Sequence, residues 1–356
     1  MHGYPKSTYR HVTKGMSIIK TTILGSGSWG TAIAMLLHNN GYDVTLWSKF
    51  ESEAKTLCST RCNPLLKGVV IPQDIYITSD LDEAVNRANA AVIAVPSYGL
   101  RETAVLLTDK LNKDCVVVCM SKGIEKDSSS LFTSILKDIF NENTHIAAVS
   151  GPTHAEEVAR QIPTACVAAS EDISVAMRVQ NLLMNDYLRV YTSTDVIGVE
   201  LGAALKNVIA LGAGISLGLG FGDNTIAMLI TRGLAEIAEL CVKMGGRKET
   251  LAGLAGLGDL IVTCMSEYSR NRQAGILIGK GKTAQDAMRE VGAVVEGYYA
   301  SKAAKDLAEK MDIDMPISLE TYRVLYEDKH PMTAMKDLMS RSRRSEQDTG
   351  AEIWVS

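Results

Sequence analysis

The chain has 356 residues, room for two domains of about 100–200 residues each. It is 46% hydrophobic and 22% charged, so a sizeable core is available, and its formal net charge of -4 excludes the broad basic surface of a nucleic-acid binder. Any negatively charged ligand must therefore be held by a local cluster of donors. The seven cysteines are odd in number and form no CxxC pair, which fits reduced thiols in the cytoplasm better than a disulfide framework or a zinc site. No metal is expected.

In chain order, residues 1–16 read as a disordered extension. They contain no apolar stretch of the kind a secretory signal needs. A dinucleotide-binding domain is expected over 17–193. It opens with a strand, IIKTTILG, then the turn Gly25-Ser26-Gly27-Ser28-Trp29-Gly30, then a helix, TAIAMLLHNN, ending at Gly41, and a second strand, YDVTLW. A lone GxGxxG is weak evidence, but here it follows a strand and opens a helix within a βαβ unit. Gly25 permits the tight turn, Gly27 lets the backbone approach a pyrophosphate, and Gly30 allows the helix to pack closely on the strand.

The end of the second strand usually carries Asp or Glu when the ribose 2′-hydroxyl of NAD is bound. This chain reads Trp47-Ser48-Lys49-Phe50, so a 2′-phosphate is accommodated and NADP(H) is slightly favoured over NAD(H). Glu51 and Glu53 lie close enough in sequence to serve NAD.

Further apolar runs at 90–96, 115–120, 145–152, 164–170 and 187–193 alternate with helical patterns, which implies a largely parallel sheet covered on both faces. Lys122 follows the run CVVVCM and should face the ligand crevice, because that crevice forms at the C-terminal ends of parallel strands. Ser150-Gly151-Pro152-Thr153 follows another run and suits an anion-facing turn. His145 reads as strand-packed and His154 as a first-turn helix residue.

From about residue 194 strand patterns stop and 3.6-residue periodicity takes over, so 194–340 reads as an all-helical substrate domain and 341–356 as a polar tail. The fold class expected is α/β, a Rossmann-type parallel-rich sheet with helices on both faces followed by an all-helical domain. Lys206 stands out. It lies in LGAALKNVIALGAGISLGLG, and an ammonium in such surroundings is costly unless it is paired or its pKa falls. The apolar stretch around 201–221 reads as a packed core helix and not as a membrane span. Glycines punctuate expected hairpins at GLAGLGDL and GKGKTAQ. Asp259, in the first of these, is the natural partner of Lys206. It could also cap the helix that follows. Ser269-Arg270-Asn271-Arg272 groups donors suited to a phosphate. Lys206 and the glycine turn together suggest a hydride-transfer enzyme with a lysine acid/base.

The segments GSGSWGTAIA, SKGIE, SGPTHAEEVA, GAALKNVIALGAG, GLAGLGDLIVTC, SRNRQAG and VVEGYYA, in this order, resemble the glycerol-3-phosphate dehydrogenase family in its NAD(P)-dependent bacterial form. The resemblance runs from about residue 17 to about 340. It implies reversible reduction of dihydroxyacetone phosphate to sn-glycerol 3-phosphate, the entry to glycerophospholipid synthesis. It implies that Lys206 is the catalytic acid/base, helped by Asp259 and Lys122. Lys122, Gly151, Thr153, Lys206, Asn207, Asp259, Ser269, Arg270 and Asn271 would meet the substrate. Ser28, Trp29, Lys49, Lys122, Ala155, Arg270, Val294 and Glu296 would join Gly25, Gly27 and Gly30 around the cofactor. The family often carries Arg or His where this chain has Lys49, and lysine lacks arginine's bidentate fork. A homodimer is compatible with this reading. Two rivals stay open: another β-hydroxyacid-type dehydrogenase of the same domain plan, and a non-catalytic dinucleotide sensor.

Overall fold

A computed structural model of the protein describes residues 19–126, 128–141 and 144–342. The extension expected over 1–16, and all but the first two residues of the tail expected over 341–356, lie outside the described residues.

The first half alternates strands and helices: β1 (Lys20–Leu24), α1 (Ser28–Asn39), β2 (Asp43–Trp47), α2 (Glu51–Thr60), β3 (Tyr76–Thr78), α3 (Leu81–Val85), β4 (Ala90–Ile93), α4 (Leu100–Leu106), β5 (Val116–Cys119), α5 (Phe132–Ile139), β6 (His145–Ser150), α6 (Ala155–Ala159), β7 (Thr164–Ala169), α7 (Ile173–Leu183) and β8 (Leu188–Ser193). They form one sheet in the order β3-β2-β1-β4-β5-β6-β7-β8. Every neighbouring pair is parallel except β6 and β7, which run antiparallel. β4 and β5 are buried along their whole length, which is why AAVI and VVVC show no polar alternation. Successive side chains still point to opposite faces. Ile23 and Val92 pack under α1 and α7; Leu24 and Ile93 pack under α4 and α5. The short edge strand β3 was not expected. It is three residues long and follows a loop containing Pro72, so no strand period is established.

The second half is helical throughout its described residues: α8 (Val196–Gly218), α9 (Asp223–Lys243), α10 (Lys248–Leu251), α11 (Asp259–Met265), α12 (Arg270–Gly279), α13 (Ala284–Val291), α14 (Glu296–Met311), α15 (Pro316–Tyr326) and α16 (Pro331–Met339). The sheet with helices on both faces, followed by an all-helical half, is the fold class expected. By length and composition α8 could cross a membrane, but 89% of its most apolar window is buried inside the protein, so it is the core helix expected.

Glycine sets how closely the helices meet α8. A Cβ on Gly275 would lie 2.3 Å from the Leu211 carbonyl oxygen, and one on Gly214 would lie 2.3 Å from that of Arg272. Gly218 and Gly279 repeat the same crossing one turn further along, so α12 and α8 pack backbone against backbone. This contact brings the N-terminus of α12 beside the middle of α8, where Lys206 and Asn207 sit.

One expected hairpin is corrected. GLAGLGDL does not turn back; Leu254–Gly258 is a π-helical turn that runs directly into α11. A Cβ on Gly202 of α8 would lie 2.6 Å from the Ala255 carbonyl oxygen, and one on Gly256 would lie 2.1 Å from that of Leu251, so the turn packs closely on α8 and α10. π-turns of this kind recur at functional sites, and this one delivers Asp259.

Candidate active site

The crevice begins where β1 ends. Gly25 adopts φ +114, which L side chains rarely adopt, and a Cβ there would lie 2.8 Å from the Ala94 carbonyl oxygen. A Cβ on Gly30 would lie 1.8 Å from the Gly25 oxygen, so α1 starts in contact with the strand. Gly27 differs, since nothing lies within 4 Å of its Cβ position. Gly27 is also the N-cap of α1, which has no side-chain cap and no acidic residue in its first turn. Its free amides and partial positive charge therefore meet open space, the arrangement that binds a pyrophosphate.

Two polar atoms on this crevice are buried without a partner: Trp29 Nε1 and Glu296 Oε2. The other carboxylate oxygen of Glu296 accepts from the Ser97 amide at 3.1 Å. Burial raises the Glu296 carboxyl above its ordinary value. An open glycine turn, uncapped amides and these two unpaired groups fit a dinucleotide. Ala155 lies buried at the start of α6, and Val294 lies one residue before Val295, the N-cap of α14.

At the end of β2, Ser48 is buried and its hydroxyl donates to Glu53 at 2.6 Å. Lys49 donates to Glu102 of α4 at 2.6 Å. Glu51 pairs with Lys55 one turn along α2.

A second group of polar residues sits where the helical half meets the C-terminal ends of β5 and β6. Lys206 is 5% exposed. It donates to Asp259, and to the Thr263 hydroxyl at 2.9 Å. That hydroxyl donates in turn to the Asp259 carbonyl at 2.6 Å, so its oxygen is free to accept from the lysine. An ammonium has three N–H donors. Two are engaged, and the third is available to a substrate. Lys122 is arranged differently. It donates to the Gly151 carbonyl at 2.8 Å, the Thr153 hydroxyl at 3.2 Å and the other Asp259 oxygen at 2.9 Å. All three of its donors are used within the protein. Ser150 adds a weaker bond to Asp259 at 3.4 Å.

Burial, reinforced by the charge of Lys122, lowers the pKa of Lys206 to about 7, with Asp259 opposing the shift. For Asp259 burial alone would raise the carboxyl; the two ammonium groups outweigh it and hold the carboxyl below its ordinary value. A carboxylate shared by two lysines cannot fully compensate either, which leaves Lys206 able to give up a proton near neutrality.

A third set of residues lies at the N-terminus of α12. Ser269 caps the helix, its oxygen accepting from the Arg272 amide at 3.2 Å. Asn271 donates to Asn207 at 2.9 Å and accepts from the Gly297 amide at 2.8 Å, and Asn207 donates to the Ala203 carbonyl at 3.3 Å. These amides chiefly lock α8, α12 and α14 together. Arg270 is exposed and has no hydrogen bond or ion pair among the described residues, so its guanidinium is free for an anion.

The structure thus brings Lys206, Lys122, Asp259, Gly151 and Thr153 into one cluster. The cap reading of Asp259 is corrected, because Gly258 holds the N-cap position and the carboxylate faces the two lysines. His154 is corrected too. It is the N-cap of α6, not a first-turn residue, and its Nε2 is buried without a partner. Burial first, then the charges of Lys206 and Lys122, lower its pKa to about 4, so its imidazole is neutral beside the cluster. Thr263 was missed, although its i+4 spacing from Asp259 on a helix was a usable signal.

Comparison with known proteins identifies the family. Residues 20–176 match the model of the NAD-dependent glycerol-3-phosphate dehydrogenase N-terminus, and residues 195–336 match that of its C-terminus. A glycerol-3-phosphate dehydrogenase [NAD(P)+] of Thermoanaerobacter sp. is 49% identical over 328 residues, covering 92% of this chain and 99% of that one. One of Fusobacterium nucleatum is 46% identical over 331 residues, with coverage of 92% and 99%. The crystal structure of glycerol-3-phosphate dehydrogenase from Coxiella burnetii superimposes with a TM-score of 0.87 at 35% identity, covering 91% of this chain and 99% of that one. Because both halves are matched in order and the relatives are nearly half identical over almost their whole length, the chain belongs to the NAD(P)-dependent glycerol-3-phosphate dehydrogenase family.

Proposed function

We propose that this protein catalyses the reversible reduction of dihydroxyacetone phosphate to sn-glycerol 3-phosphate, supplying glycerophospholipid synthesis, with the sheet half holding the dinucleotide and the helical half holding the substrate. The observation that carries it is the cluster at the junction of the two: Lys206 buried, bonded to Asp259 and Thr263, with one donor left over. Family membership favours this reading over another dehydrogenase of the same plan, and the lysine cluster favours it over a silent sensor.

When bound, the reduced nicotinamide supplies the hydride. Lys206 places its remaining N–H on the C2 carbonyl oxygen, stabilises the negative charge that develops there, and gives it the proton. In the oxidation direction the neutral amine takes the proton from the alcohol. Asp259 fixes the position of Lys206, and Lys122 holds Asp259 and the Gly151 turn while adding positive charge. Arg270 takes the substrate phosphate, with the Ser269 hydroxyl proton and the α12 amides beside it. We infer that NADPH is used at least as well as NADH, because Lys49 and no carboxylate follows Trp47-Ser48. We place the protein in the cytoplasm, since its seven cysteines are all free and two of them are exposed.

The test is oxidation of NADPH and of NADH by the purified protein with dihydroxyacetone phosphate, followed by absorbance. Turnover with dihydroxyacetone phosphate well above that with unphosphorylated dihydroxyacetone is the expected result. No turnover with either cofactor would remove the proposal.

A further inference from the structure

The ion pair between Lys49 and Glu102 is placed where it bears on cofactor choice. β2 and β4 both pair with β1, one on each side. Lys49 lies just past β2, and Glu102 lies in the first turn of α4, the helix that follows β4. Their 2.6 Å contact therefore spans the C-terminal end of β1, in front of the glycine turn. Lys49 is the cation that the sequence offers to a ribose 2′-phosphate, and its ammonium is held instead by a carboxylate from the opposite wall. Glu53, bonded to Ser48 at 2.6 Å, adds a second negative charge on the β2 side. Together Lys49, Glu53 and Glu102 carry a net negative charge where a 2′-phosphate would bring about two more. A free 2′-hydroxyl brings none and can donate to a carboxylate.

We infer that Glu102 is a positioning residue that sets cofactor choice: by holding Lys49 it weakens NADPH relative to NADH and keeps the protein able to use both. The inference rests on the dinucleotide reading of the crevice. The side chains of Lys49 and Glu102 are 45% and 60% exposed, so the pair is weak and can open for a phosphate. Its influence is accordingly moderate. Removing the carboxylate frees Lys49 for the phosphate and leaves the 2′-hydroxyl unaffected.

The experiment measures equilibrium dissociation constants of NADPH and NADH for the full chain without substrate, by quenching of tryptophan fluorescence. Glu102→Gln should tighten NADPH about twofold to fivefold, the upper range that an exposed ion pair carries, and leave NADH within about 1.5-fold. In a Lys49→Ala background the same Glu102→Gln change should move NADPH by less than about twofold, because its effect passes through the lysine. Equal NADPH tightening with and without Lys49 would overturn the inference, as plain repulsion by Glu102 then suffices. An unchanged NADPH to NADH ratio in Glu102→Gln, with both still bound, would overturn the inference alone. No saturable binding of either by the unaltered protein would overturn both the inference and the reading beneath it.

Discussion

At the scale of single residues, the energetics turn on one carboxylate serving two ammonium groups. Lys206 is stripped of water, and Asp259 can compensate it only in part because Lys122 draws on the same group. Lys206→Ala should leave the dinucleotide affinity intact and lower turnover about 10²–10⁴-fold, the range for a positioned acid/base; near-normal turnover would end the lysine mechanism. The pH dependence follows with its sign. Reduction needs Lys206 protonated, and its pKa is lowered to about 7. The rate of ketone reduction should therefore fall as pH rises through about 7, and alcohol oxidation should fall as pH drops through the same point. Profiles with the same slope in both directions would assign the proton to another group. Arg270 calls for a different readout. Arg270→Ala should raise KM for dihydroxyacetone phosphate about 10–100-fold, the worth of a charge-assisted contact, while the poor turnover of unphosphorylated dihydroxyacetone hardly changes. Equal proportional losses for both substrates would mean that the phosphate is held elsewhere.

At the scale of elements, glycines that look alike in the chain do opposite work. Gly275 is filled on its open side by the backbone of α8, whereas the Cβ position of Gly27 faces space. Gly275→Ala must push α12 off α8 and should destabilise the protein by about 1–3 kcal/mol or more. Because α12 carries Arg270 and Asn271, kcat/KM should fall with it. Gly27→Ala puts its methyl where a pyrophosphate would approach, at a φ of -64 that alanine adopts freely. It should leave the melting temperature near that of the parent and weaken both NADH and NADPH. Thermal melts and cofactor titrations of the two variants check this together. Matching loss of Tm in both would mean that the glycine turn serves packing alone.

At the scale of the whole molecule, one buried carboxylate ties the halves together and another ties two helices of the second half. Glu200 of α8 accepts from the Thr133 amide at 3.0 Å and from its hydroxyl, docking the long core helix on α5 of the sheet half. Burial raises its carboxyl from 4.5 to about 7, and Glu236, which caps α15 through the Ile317 and Ser318 amides, is raised to about 7 as well. A group whose folded pKa lies above its unfolded value stabilises fully below the unfolded pKa and loses that contribution as pH rises through the folded one. These two groups should therefore make stability decline between about pH 4.5 and about pH 7. Glu200→Gln keeps an acceptor for the amide and a donor for the hydroxyl but does not titrate. Its stability should decline less steeply over that window, with the remaining slope owed to Glu236. Denaturant melts at several pH values measure both slopes, and identical slopes would show that Glu200 does not titrate there.

The chain by itself determined what local pattern and local cost can express. Apolar runs separated by helical periods implied a parallel-rich sheet, the glycine spacing after β1 implied a phosphate-facing turn, and a lysine in an apolar helix implied a partner. Asp259 could be named as that partner because a buried carboxylate is as costly alone as a buried ammonium. The tertiary structure decided everything that depends on which groups meet across long separations. No spacing shows that Lys122 spends all three donors, that Asn207 and Asn271 bond to each other, or that Lys49 is claimed by Glu102. The π-turn at Leu254–Gly258 reads as a hairpin because glycine signals a bend and a close approach equally well; only the packing of Gly256 on the Leu251 backbone, and of Gly202 of α8 on the Ala255 carbonyl, distinguishes them. The place of His154 beside the lysines was hidden for the same reason, since a neutral imidazole is made by the burial and the two lysines around it, and none of these is written beside it in the chain.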